Sequence, residues 1–84
     1  MARRHPDYSA ERRRIALSIL REARQEATWS LLSDDSRVAY ALGIVLCDKN
    51  GRFSKESLSA ALDDPSAVNY ARRLVEECER EAMP

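Results

Sequence analysis

Few side chains in this 84-residue sequence could do chemistry, and their spacing argues against it. There is one histidine, His5, and there are two cysteines, Cys47 and Cys78. A structural zinc site wants a full set of Cys and His ligands. A Ser or Cys nucleophile wants a base within reach. A single histidine near the N-terminus supplies neither. The acid pairs Asp34-Asp35 and Asp63-Asp64 stand where helices are expected to begin. Negative charge there caps the backbone and favours the helix dipole, without chemistry. The run Asp48-Lys49-Asn50-Gly51 invites comparison with a calcium loop. With Gly51 at the glycine position of such a loop, Leu46 falls at the first ligand and Ser57 at the last. Neither is a carboxylate, so a helix-ending turn is the expectation. No glycine-rich phosphate loop is present. The sequence therefore predicts no catalytic residue, no metal and no cofactor, and a protein that is not an enzyme.

Charge distribution says more. Lysine plus arginine and aspartate plus glutamate number 14 each, so the formal net charge is zero. A dedicated nucleic-acid binder usually carries a basic excess. Yet residues 1–24 hold Arg3, Arg4, Arg12, Arg13, Arg14, Arg21 and Arg24 against only Asp7, Glu11 and Glu22, crowding the start of the first helix. The end of the last helix holds Glu76, Glu77, Glu79 and Glu81 against Arg80. Each cluster opposes the dipole of its own helix end. Two readings compete. In an antiparallel bundle the start of the first helix lies beside the end of the fourth, and the clusters neutralise each other. Alternatively each is a docking surface, with Arg12, Arg13 and Arg14 meeting phosphates or an acidic protein and the Glu76–Glu81 face meeting a basic one. Trp29 and Tyr70 are residue types enriched at interface hot spots, though each alone suits ordinary core packing.

The elements that must carry these groups are helices. Ala, Leu, Glu and Arg dominate, Pro and Gly number three and two, and aromatics make up 6%. The first helix is predicted from Ala10 to Leu32 behind a Ser9 cap, with Ile15, Ala16, Ile19, Leu20, Ala23, Ala27, Leu31 and Leu32 as its inward stripe. Ser33-Asp34-Asp35-Ser36 breaks it. The second helix, Arg37–Cys47, is apolar on nearly every side and should lie at the centre. Burying Val38, Leu42, Ile44, Val45 and Leu46 would contribute roughly 10 kcal/mol before entropy. Gly43 within it would allow a neighbouring backbone close, and Asn50 or Gly51 would end it with positive φ. A short third helix, Lys55–Leu62, follows a Ser54 cap. A fourth, Pro65–Glu81, starts from Asp64-Pro65 and buries Val68, Ala71, Leu74, Val75, Cys78 and Ala82. Cys47 and Cys78, on apolar faces, could meet. The expectation is one all-α, four-helix, bundle-like domain over 1–84, fraying over 1–8 and 82–84. The longest apolar run, Val38–Cys47, is too short to cross a membrane, which needs about 20 residues. With two cysteines and no signal-peptide pattern, a cytosolic location with reduced thiols is expected.

The stretch from Arg37 to Glu77 resembles the three-helix core of helix-turn-helix and winged-helix domains. "GRFSKESLSAALDDPSAVNYARRLVEE" is similar to their helix, turn and recognition helix. The resemblance implies DNA binding, with Ser66, Asn69, Tyr70, Arg72 and Arg73 facing the groove. It departs from the pattern at Asp63 and Asp64, where a glycine and an apolar residue are usual. The Leu62-to-Val68 spacing is also one residue short, and two acids there would repel phosphates.

The favoured reading is a small non-enzymatic regulator, adaptor or inhibitor that binds a partner protein, through Arg12, Arg13, Arg14, Trp29, Glu76 and Glu77. The alternative is a helix-turn-helix-like DNA binder using the helix after Asp64-Pro65. A second copy of the chain is a further candidate partner.

Overall fold

The computed structural model describes residues 5–48 and 50–81. Arg3, Arg4, Lys49 and Ala82, and the fraying expected over 1–4 and 82–84, lie outside them. Four α-helices, and no strand among the described residues, make an all-α, bundle-like domain: α1 (Ala10–Ala23), α2 (Asp34–Leu46), α3 (Lys55–Leu62) and α4 (Pro65–Glu81).

Helix starts follow their caps. The Ser9 hydroxyl accepts from the Arg12 N–H at 3.2 Å, Ser33 from Ser36 at 3.2 Å and Ser54 from Ser57 at 3.1 Å. The Asp64 carboxylate accepts from the Ser66 N–H at 3.0 Å, just ahead of Pro65. Because Ser33 is the cap, Asp34, Asp35 and Ser36 form the first turn of α2, which begins before the expected Arg37.

The first helix stops at Ala23, short of the expected Leu32. Glu26 is extended and Ala27–Leu31 form a 3-10 turn. The β-branched Thr28 and aromatic Trp29 gain little from continuing a helix. Turning back puts Trp29 against α2, where it is 7% exposed. Arg37 fastens this turn. Its guanidinium donates to the Trp29 carbonyl at 2.9 Å and lies 5.2 Å from the centroid of the Trp29 ring. The Tyr40 ring meets Trp29 edge-on, with centroids 6.2 Å apart.

At its far end α2 stops at Leu46, and Cys47 is already extended. The positive φ of Gly51, 76°, shapes the turn that follows rather than ending the helix. That turn is organised by Asp48, whose carboxylate accepts from the N–H groups of Asn50 at 2.8 Å and Arg52 at 3.0 Å. It brings Phe53 back over α2. A Cβ on Gly43 would lie 3.2 Å from the Phe53 ring, so the glycine admits a ring, not the backbone expected there.

Helix α2 is central, with Val38 and every residue from Ala41 to Leu46 buried. Its core partners are Ala16, Leu17 and Leu20 of α1, Ala61 of α3, and Ala67, Ala71, Leu74, Val75 and Cys78 of α4. Contacts fix the directions. The Asp7 N–H donates to the Val45 carbonyl at 2.8 Å, so the start of α1 lies at the end of α2. Arg37, early in α2, reaches Glu79, late in α4, at 3.2 Å. The Tyr8 and Tyr70 rings meet with centroids 4.6 Å apart, and Arg21 reaches Glu81 at 2.6 Å. Helices α1 and α4 therefore run the same way, and α2 runs against both. This corrects the antiparallel arrangement expected for the first and fourth helices. The short α3 acts as a crossing piece that returns the chain to its starting direction. The described part of the lead-in, far from fraying, is tied down by Asp7 and Tyr8.

Candidate functional site

The arginine and glutamate clusters meet in part within the chain. Arg13 of α1 donates to the Glu77 carboxylate of α4. Arg21 forms a two-pronged pair with Glu81, at 2.6 and 2.9 Å. Arg24 donates to the Cys78 carbonyl, one of the C-terminal carbonyls that α4 cannot satisfy itself. Arg12 approaches Asp7 at 4.0 Å. The Arg21 hydrogen bond holds the Glu81 carboxyl below its ordinary range. Of the expected docking residues, Arg13 and Glu77 are thus joined to each other and Trp29 is in the core. Arg14 and Glu76 are exposed, with no ion pair or hydrogen bond among the described residues.

A different surface stands out beside Trp29. Where α1, the 3-10 turn and α2 converge, a groove of about 290 Å³ is lined by Ile19, Ala23, Trp29, Leu32 and Tyr40, with Glu22, Glu26 and Thr28 completing it. Trp29 forms its buried floor. Ile19 and Leu32 are each 36% exposed and Tyr40 44%. Ile15, one turn before Ile19, is 37% exposed, and Leu31 on the adjoining turn is 82% exposed. Sequence periodicity had assigned Ile15, Ile19, Leu31 and Leu32 to the inward stripe. The structure instead buries Leu17 with Ala16 and Leu20. The inward face of α1 is rotated toward α4, which leaves Ile15 and Ile19 at the rim. The signal available in the sequence was an apolar surface on α1 wider than one stripe.

The residues named by the helix-turn-helix resemblance lie on α4, where Ser66, Asn69, Tyr70 and Arg73, at steps of three and four, share one face and Arg72 stands about 100° round from Arg73. Ser66, Asn69, Arg72 and Arg73 are exposed. Arg72 donates to the Asn69 side chain at 3.3 Å and lines a recess with Asp34, Glu76 and Glu79. Arg73 lines a different groove, of about 390 Å³ between α1 and α4, with Arg13, Tyr70, Leu74, Glu77 and Arg80. Tyr70 is half-buried against Tyr8, and its hydroxyl has no hydrogen-bond partner among the described residues. Burial pushes its phenol up, with Arg13 pulling the other way.

Among the described residues no group of three or more His, Cys, Asp or Glu could hold a metal ion. Among the described residues no disulfide joins the two cysteines. Glu79, next to Cys78, lies at Arg37, and Cys47 is ten residues further along α2, about 15 Å by helical rise. The cysteines sit toward opposite ends of the domain and do not meet. Burial raises the Cys78 thiol, partly offset by Arg24, whereas the Cys47 thiol donates to the Gly43 carbonyl at 3.1 Å. Among the described residues no helix is long and apolar enough to cross a membrane.

The site is thus defined by an all-helical scaffold and two grooves. No protein-family model matches the chain, and comparison with curated proteins and with solved structures returns no match.

Proposed function

We propose that this chain is a small non-enzymatic regulator that docks a segment of a partner protein in the groove between α1 and α2. The observation that carries the reading is the groove lined by the exposed apolar side chains of Ile19, Leu32 and Tyr40 together with the buried Trp29. Contiguous exposed apolar surface on a small domain favours an interaction site. The rim chooses the partner's chemistry. Glu22 and Glu26 are both exposed at its edge. They favour a basic amphipathic segment that places one large apolar side chain over Trp29 and flanks it with Lys or Arg. The Arg12–Arg14 and Glu76–Glu77 clusters are replaced as the primary contact, because Arg13 and Glu77 satisfy each other. Two cysteines with no disulfide between them suit a reducing compartment, and we propose a cytosolic location.

A photo-reactive residue placed at Leu32 or Tyr40, and at Ser59 on α3 as control, tests the reading in cells. The same partner should crosslink from the two groove positions and not from Ser59, through a segment rich in Lys or Arg. Ile19→Glu should abolish that crosslink while leaving helicity intact. Equal crosslinking from Ser59, an acidic partner segment, or crosslinking only to a second copy of the chain would overturn it.

A further inference from the structure

We infer that the groove between α1 and α4 binds the phosphate monoester group of a ligand, held chiefly by Arg73 and Arg80. Helical spacing makes Glu77 the natural counter-ion of both, since it lies four residues after Arg73 and three before Arg80. That carboxylate is taken by Arg13, which crosses from α1. Arg73 and Arg80 are then left exposed, with no ion pair or hydrogen bond among the described residues. The groove so formed, about 390 Å³, presents three guanidinium groups and a single carboxylate in a chain of zero net charge.

Arg73 and Arg80 lie two turns apart on one face, about 10 Å along the axis. Long side chains from those positions can converge on one anion above Glu77. Guanidinium forks match the oxygens of a phosphate in pairs. A monoester carries close to two negative charges at neutral pH, which matches the two cations left without a counter-ion. A nucleic-acid backbone offers one charge per phosphate. It would also have to pass Glu76, exposed one turn beyond Arg72. This inference is independent of the partner groove, which lies on another side of α1.

Titration with phenyl phosphate, followed by backbone amide NMR, tests it. Saturable shifts should centre on Arg73, Leu74 and Arg80. The double variant R73Q/R80Q should weaken binding at least tenfold, and R73K should weaken it too, because charge without the fork is not enough. Glu77→Gln should tighten binding several-fold by removing the competing carboxylate and freeing Arg13. Arg14→Gln, at an exposed arginine outside the groove, should change nothing. All four positions are exposed or half-exposed, and retained helicity by circular dichroism identifies a folded variant. Unsaturable drift, equal affinity for phenyl sulfate, weaker binding by Glu77→Gln, or binding of a short DNA duplex but not of phenyl phosphate would overturn the inference.

Discussion

Arg37 donates to the Trp29 carbonyl, pairs with Glu79 and lies against the Trp29 ring. One side chain thereby ties the 3-10 turn, α2 and the end of α4 together. Its side chain is only 17% exposed, and removing it takes away a charged donor from the Trp29 carbonyl, which keeps the bond from the Leu32 N–H at 3.1 Å. Arg37→Met keeps much of the aliphatic stem and should cost about 1–3 kcal/mol in denaturant unfolding. A loss below about 0.5 kcal/mol would mean the turn is held by Trp29 burial alone. Glu81 carries a pH signature. Arg21 lowers its pKa in the folded chain, so the pair contributes fully above the ordinary glutamate value of about 4.3. The contribution is lost as pH falls through the lower folded value. Melting temperature measured from neutral to acid pH should therefore show wild type and Arg21→Gln converging below about pH 4. A difference between them that persists unchanged in acid would contradict that pairing.

At the scale of elements, the third and fourth helices were legible to the residue. Their limits are set by local chemistry: the Ser54 cap, and Asp64 with Pro65. The end of the first helix was not legible. Leu31 and Leu32 continue a helical apolar pattern, and only the tertiary gain from burying Trp29 against Arg37 and Tyr40 turns the chain at Ala23. Gly43 and Phe53 show the same limit. A glycine inside a helix is visible in sequence, but the ring that fills its space arrives by way of the Asp48 turn. Their contact predicts non-additivity. With Phe53 present, Gly43→Ala must push the ring and should gain little. In a Phe53→Ala background the same change should gain about 0.8–1 kcal/mol, the ordinary helix advantage of alanine. A double-mutant cycle by urea unfolding measures the coupling, and equal effects in both backgrounds would show that the ring yields freely.

For the whole molecule, the charge clusters were legible as a pair, and their partnership was one of the two readings the residues allowed. Their geometry was not. The sequence contains no sign that α3 reverses the chain so that α4 runs alongside α1. That direction sends Glu77 to Arg13 and Glu81 to Arg21, and it strands Arg73 and Arg80. It also rotates the buried stripe of α1 onto Ala16, Leu17 and Leu20, leaving Ile15 and Ile19 outward. Both candidate sites thus arise from one topological fact, and periodicity within a helix cannot report it. Exposed ion pairs are worth about 0–1 kcal/mol each. The arginine and glutamate network therefore steers the packing more than it stabilises it, and the proposed interaction rests on the apolar surface beside Trp29. The most direct measurement is the in-cell crosslinking comparison between Leu32 and Ser59. The account predicts one partner joined at Leu32, through a basic segment, and lost in Ile19→Glu. A partner captured equally from Ser59, or one that survives Ile19→Glu, would contradict it.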